Sequence, residues 1–109
     1  MAKKLNEENF EQEALQNDAL VIAEFYTDSC IACKQLSPIL ADIEEEFENT
    51  ACVYKINAAL NEKLAEKYDI RSAPSILFFY KGKEVDRKTG LCGKDEIAEV
   101  ISKFVEESR

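Results

Sequence analysis

Apolar and polar positions along this chain follow two alternating rhythms. Leu20-Val21-Ile22-Ala23-Glu24-Phe25-Tyr26 is a nearly unbroken apolar run, the pattern of a strand buried on both faces of a helix-covered sheet. Between Ile31 and Phe47, the apolar positions Leu36, Ile39, Leu40, Ile43 and Phe47 recur at helical spacing. Pro38 falls inside that helix, where it is expected to kink it. Cys52-Val53-Tyr54-Lys55-Ile56 predicts a second core strand, and Leu60, Leu64 and Ala65 mark a short helix ending near Tyr68. Ser75-Ile76-Leu77-Phe78-Phe79-Tyr80 predicts a strong strand, which Lys81-Gly82-Lys83 turns into Glu84-Val85-Asp86-Arg87-Lys88, so the two should pair as a hairpin. Ile97, Val100, Ile101, Phe104 and Val105 form one stripe of a C-terminal helix. Ahead of these, residues 6–16 read as a first helix with Phe10, Ala14 and Leu15 on one side, and a strand around Lys3 to Leu5 is weakly signalled.

The resulting order, α, β, α, β, α, β, β, α, is an α/β pattern of parallel crossovers closed by an antiparallel edge. With 109 residues and no linker, repeat or low-complexity stretch, one domain over 1–109 is expected. That length supports a single core without obligatory staples. Hydrophobic residues make up 46% and charged residues 33%, an ordinary globular balance that argues against wholesale disorder.

Charge and missing residue types narrow the chemistry. Fourteen Lys and Arg stand against 22 Asp and Glu, for a net charge of −8. Such a surface repels nucleic acid and anionic membrane, and no basic stripe offsets it. Glu44-Glu45-Glu46-Phe47-Glu48, the densest acidic run, reads as a solvated helix face. No stretch approaches the roughly 20 apolar residues of a membrane span. The N-terminal segment lacks an apolar signal-peptide region, so a cytoplasmic location is expected. In that reducing compartment a close cysteine pair is catalytic or metal-binding rather than a staple. The chain has no histidine, which excludes Cys-His and Ser-His-Asp catalysis and His-containing zinc sites.

Cys30-Ile31-Ala32-Cys33 is the motif that carries chemistry. It follows a buried strand and opens a long helix, and a C-x-x-C beside a βαβ pattern is a redox cue. The location matters because the thiolate is the attacking species, and free N–H groups at a helix N-terminus stabilise it. Cys30 is expected to be exposed and to attack a substrate disulfide. Cys33 then resolves the mixed disulfide, with Lys34 adding positive charge nearby. Two plainer readings remain open: a pair of small buried residues at a helix start, or a metal site recruiting Cys52 and Cys92, neither of which lies in a second knuckle. Glu24, in the middle of an apolar strand, also demands an explanation. If buried, its carboxyl should titrate high, which suits relaying the proton of Cys33 with Lys55 nearby. The alternative is a carboxylate pointing out at the strand end.

Three segments together resemble the thioredoxin family over essentially the whole chain. Residues 25–40 are similar to its active-site segment. Tyr68-Asp69-Ile70-Arg71-Ser72-Ala73-Pro74-Ser75-Ile76-Leu77-Phe78-Phe79 resembles its cis-proline segment. Lys81-Gly82-Lys83-Glu84-Val85 and Gly90 resemble its hairpin turn and active-site glycine. The resemblance implies a three-layer α/β/α sandwich with a central mixed sheet flanked by about four helices. It implies a cis bond before Pro74, and substrate contacts at Ala73 and Pro74, at Gly90 and Leu91, and at Ser29, Ile31 and Ala32 around the dithiol. Glu24 matches the family's buried carboxylate behind the resolving cysteine. The implied activity is reduction of protein disulfides, with no cofactor beyond the Cys30–Cys33 disulfide. Electrons would come from a thioredoxin reductase or similar donor, and the protein would act as a monomer.

The departures bear on partners more than on chemistry. Family members typically carry Trp-Cys-Gly-Pro-Cys, whereas this chain has Ser29-Cys30-Ile31-Ala32-Cys33 and no tryptophan at all. The aromatic edge beside the nucleophile is lost, which should weaken grip on protein substrates. The proline that pre-sets helical φ is lost as well. Glu24 stands where Asp is usual. Of the extra cysteines, Cys52 is expected to be a small buried core residue. Cys92, beside Gly90-Leu91, is expected to pack in the interior, with a third redox thiol as the alternative. A redox-inactive binding module on the same fold is the competing function, and an oxidant or isomerase of higher potential is a third.

Overall fold

The computed structural model describes residues 2–107. Five strands form one sheet in the order β1-β3-β2-β4-β5: β1 (Lys3–Leu5), β2 (Leu20–Tyr26), β3 (Ala51–Asn57), β4 (Ser75–Tyr80) and β5 (Lys83–Thr89). β1 and β2 both run parallel to β3, whereas β4 is antiparallel to β2 and β5 to β4. Three α-helices, α1 (Ile31–Glu46), α2 (Glu62–Lys67) and α3 (Lys94–Glu107), and a π-helical segment at Glu11–Leu15 cover the sheet.

Alternation along the strands divides the core into two layers. Leu20 and Ile22 of β2, Val53 of β3, and Ile76 and Phe78 of β4 pack with Leu36, Leu40 and Ile43 of α1 and Ile97 and Ile101 of α3. The opposite set, Val21, Ala23, Phe25, Ile56, Leu77 and Phe79, packs with Phe10, Ala14 and Leu64. All seven residues of β2 are buried, because this strand sits at the centre of the sheet with helices on both faces. The expected sandwich is therefore the one observed.

Three local expectations are corrected. The first helix does not run over 6–16. Asn6 instead folds back on itself, its side chain accepting the Glu8 and Asn9 N–H groups, as Asn does in turns. Only Glu11–Leu15 is helical, and Gln16 N–H reaches five residues back to Glu11 O. Leu60 belongs to no helical stripe; it lies exposed in the loop before α2. Cys52 is half-buried rather than core. The cause is the sheet edge: β1 begins to pair only at Lys3 with Tyr54, leaving Cys52 beside an open groove shared with Lys3, Ala51 and Val53. The strand at Lys3–Leu5 is real, held by its parallel register with Tyr54 to Ile56.

β2 and β4 span the residues read from the sequence, and the other bounds shift by a residue or two. α1 continues through Pro38. The β4–β5 hairpin closes by pairing Tyr80 with Lys83, so Lys81 and Gly82 form the two-residue turn, both at positive φ (50° and 83°), the backbone that matches strand twist. Among the described residues no helix is long and apolar enough to cross a membrane.

Candidate active site

Strand direction brings four connections to one end of the sheet. β2 feeds α1 through Thr27, Asp28 and Ser29. Because β3 is parallel to β2, its exit loop at 57–61 lies at the same end, and Ala58 N–H donates to Tyr26 O at 2.8 Å. β4 is antiparallel to β2, and Ser75 pairs with both Phe25 and Thr89. Ala73-Pro74 therefore enters, and Gly90-Leu91 leaves, beside the start of α1.

Cys30 is the N-cap of α1. Its backbone is extended (φ −85°, ψ 110°), and its Sγ accepts the Cys33 N–H at 3.0 Å. The two cysteines are joined as a disulfide, with Cα atoms 5.2 Å apart. The helix leaves its first N–H groups without intrahelical partners. One of these is aimed at the outer sulfur, where it stabilises negative charge once the bond is reduced. Cys30 is half-buried rather than exposed as expected, whereas Cys33 is 3% exposed; Cys30 is still the outer of the two sulfurs.

β2 alternation turns Glu24 toward α1, on the same face as Leu20 and Ile22. Glu24 is fully buried. Its register neighbours are Lys55 on β3 and Ile76 on β4. Neither carboxylate oxygen has a hydrogen-bond partner; among the described residues they are the only buried side-chain polar atoms left so. Lys55 Nζ lies 4.0 Å from Oε1. Burial pushes the Glu24 carboxyl up to about 7, and Lys55 opposes that rise. The outward-pointing alternative for Glu24 is excluded. A groove of about 230 Å³ beside this pair is lined by Tyr26, Thr27, Asp28, Cys33, Lys34, Ser37 and Lys55, so the inner sulfur and the Lys55 ammonium share one opening to solvent.

The residues expected around the dithiol differ in exposure. Ser29 is exposed, Ala32 and Ala73 are half-exposed, and Pro74 is buried. Ile31 and Leu91 are among the few large apolar side chains left in solvent, 73% and 47% exposed. The Ala73–Pro74 bond is cis. Gly90 N–H donates to Pro74 O at 2.8 Å, which ties the two loops together. Gly90 sits at φ +85°, yet an added Cβ would meet nothing within 4 Å; backbone conformation rather than space calls for glycine there.

Residue reasoning missed Ser37, Tyr26 and the Asp28–Asn57 contact. Lys55 Nζ donates to Ser37 Oγ at 3.4 Å and lies 4.8 Å from the centre of the Tyr26 ring. Asn57 Nδ2 reaches Asp28 Oδ2 at 3.4 Å, while Asn57 Oδ1 accepts the Ala59 and Leu60 N–H groups. Ser37 was findable: four residues after Cys33, it shares a helix face with it. The other two cysteines are free. Cys92 is buried in the α1–α3 layer. Burial and, less strongly, Glu96 push its thiol up, against an opposing Lys88. No three metal-ligating side chains converge among the described residues.

Thiol–disulfide exchange needs one sulfur that a partner can reach and a second that waits behind it. The N-terminus of α1 supplies both, and by class this chain is a thiol–disulfide oxidoreductase. A family model described as Thioredoxin matches residues 1–103. The chain is 34% identical to a thioredoxin of Rickettsia bellii over 94% of its own length and 97% of that protein. It is 33% identical to a thioredoxin of Rickettsia felis over 96% and 100%. With a thioredoxin of Pyropia yezoensis it shares 32% identity over 94% and 95%. The chain belongs to the thioredoxin family. Membership implies disulfide-containing protein substrates and a reductase partner, and no cofactor beyond the redox-active disulfide.

Proposed function

We propose that residues 1–109 form one domain that reduces protein disulfides in the cytoplasm as a monomer, recharged by a thioredoxin reductase or similar donor. In the reduced protein, the Cys30 thiolate attacks one sulfur of the substrate disulfide. The substrate S–S bond breaks, a Cys30–substrate bond forms, and the departing sulfur leaves as a thiolate that takes a proton from water. Glu24, ionised and assisted by Lys55, accepts the Cys33 proton. The Cys33 thiolate then attacks Cys30 Sγ, releasing the second substrate thiolate and leaving the Cys30–Cys33 disulfide. Two electrons have passed to the substrate. Ser29, Ile31, Ala32, Ala73, Pro74, Gly90 and Leu91 form the surface on which the substrate lies.

The observation that carries this reading is the N-cap geometry: the outer sulfur receives a backbone N–H from the residue of the inner one. Cys33→Ser is expected to accumulate a mixed disulfide through Cys30, and Cys30→Ser to form none. A redox titration followed by alkylation and mass spectrometry is expected to give a reversible two-electron couple near about −270 mV. A couple nearer about −180 to −120 mV would make the protein an oxidant or isomerase. No couple at all would leave only a binding module.

A further inference from the structure

The Glu24–Lys55 pair is not a contact ion pair, although nothing in the strand register keeps the two apart. They are direct neighbours on adjacent parallel strands, and Glu24 has two unpartnered oxygens. In a buried setting an ammonium gains most by closing on such a carboxylate. Instead Lys55 Nζ stands 4.0 Å from Oε1 and spends its interactions elsewhere. It donates to Ser37 Oγ at 3.4 Å and lies over the Tyr26 ring at 4.8 Å. Ser37 is the hydroxyl that the ammonium meets instead. Ser37 lines both openings beside Lys55, the groove at Cys33 and a smaller cavity of about 110 Å³ bounded by Ala2, Lys4, Leu40 and Ala41.

We propose that Ser37 is a positioning residue that holds the Lys55 ammonium in a stand-off from the Glu24 carboxyl, and so sets the pH range in which Glu24 exchanges a proton with the dithiol. The inference rests on the proton-relay role of Glu24 proposed above. The mechanism is electrostatic: a cation in contact lowers a carboxyl's titration far more than one held at a distance. The other groups around Lys55 do not substitute for the hydroxyl. Asp28, on the loop after β2, lies at the solvent side of the groove. Lys34 of α1 and Lys4 of β1 are cations, and Cys33 is held in the disulfide.

The test follows the Glu24 side-chain carboxyl by NMR in the oxidised protein across pH. Ser37→Ala favours helix and should fold, and the freed ammonium should close on Glu24, moving its midpoint down by about one pH unit. Ser37→Thr, which keeps the hydroxyl, should retain the wild-type midpoint. In a Lys55→Gln background, Ser37→Ala should produce no shift, because no ammonium remains to move. An unchanged or raised midpoint in Ser37→Ala, or the same fall with Lys55 removed, overturns the proposal. The relay itself is tested separately. If Glu24→Gln leaves the pH profile of disulfide reduction intact, the relay fails whatever Ser37 does.

Discussion

Glu24 couples protonation to folding at a single residue. Its carboxyl titrates near 7 in the folded protein against 4.5 for the free side chain. Between those values the folded state holds more protons than the unfolded state, so stability falls as pH rises from about 4.5 through 7. The effect is on the order of 3 kcal/mol. Urea denaturation of oxidised wild type and Glu24→Gln at pH 5 and pH 8 is expected to show it: the variant should gain relative to wild type at the higher pH. Its pH profile for disulfide reduction should also lose the limb near pH 7. The two free cysteines make a second contrast. Cys52 is half-buried beside an open groove, whereas Cys92 is buried and its thiol is pushed up. Iodoacetamide on the oxidised, folded protein is expected to label Cys52 well ahead of Cys92. Equal labelling would remove the burial account and revive Cys92 as a reactive third thiol.

At the scale of elements, the long amphipathic pieces and the short helix before Tyr68 were readable, whereas the segment after β1 was not. α1 and α3 announce themselves through repeated apolar positions, and β2 and β4 through unbroken apolar runs. The segment after β1 carried a helical pattern, but its Asn residues satisfied their own backbone locally and left one π-helical turn. That turn matters because it delivers Phe10 to an aromatic group with Phe25, Tyr68 and Phe79, at ring separations of 5.3 to 6.5 Å. Phe10→Ala should cost about 3–5 kcal/mol in denaturant midpoints without altering the redox couple, since Phe10 lies on the sheet face opposite α1. The β4–β5 turn is a smaller lever. Gly82 at φ +83° has no strain-free replacement, and Gly82→Ala should lower stability by about 1–2 kcal/mol.

The whole molecule carries a net charge of −8, which acts on encounter rather than on fold. Reduction of a cationic disulfide peptide is expected to outpace that of an anionic one at low salt. The gap should close as ionic strength passes about 0.1 M, where the screening length is about 10 Å. Equal rates at low salt would show that the local rim, not the global field, selects substrates. Much of this molecule was legible from residue order. Local periodicity depends only on neighbours within a few positions, so it settles the identity of the main strands and helices. A C-x-x-C at a strand-to-helix junction points to the chemistry, because the helix N-terminus that activates sulfur is itself local. Other features needed the packed chain. The register that sets Glu24 beside Lys55, the short β1 that leaves Cys52 at an open edge, and the Ser37 hydroxyl at the Lys55 ammonium join residues 18 to 51 positions apart. Pairings over such separations arise from strand order and from which face each strand turns to which helix. No local pattern in the sequence encodes that geometry.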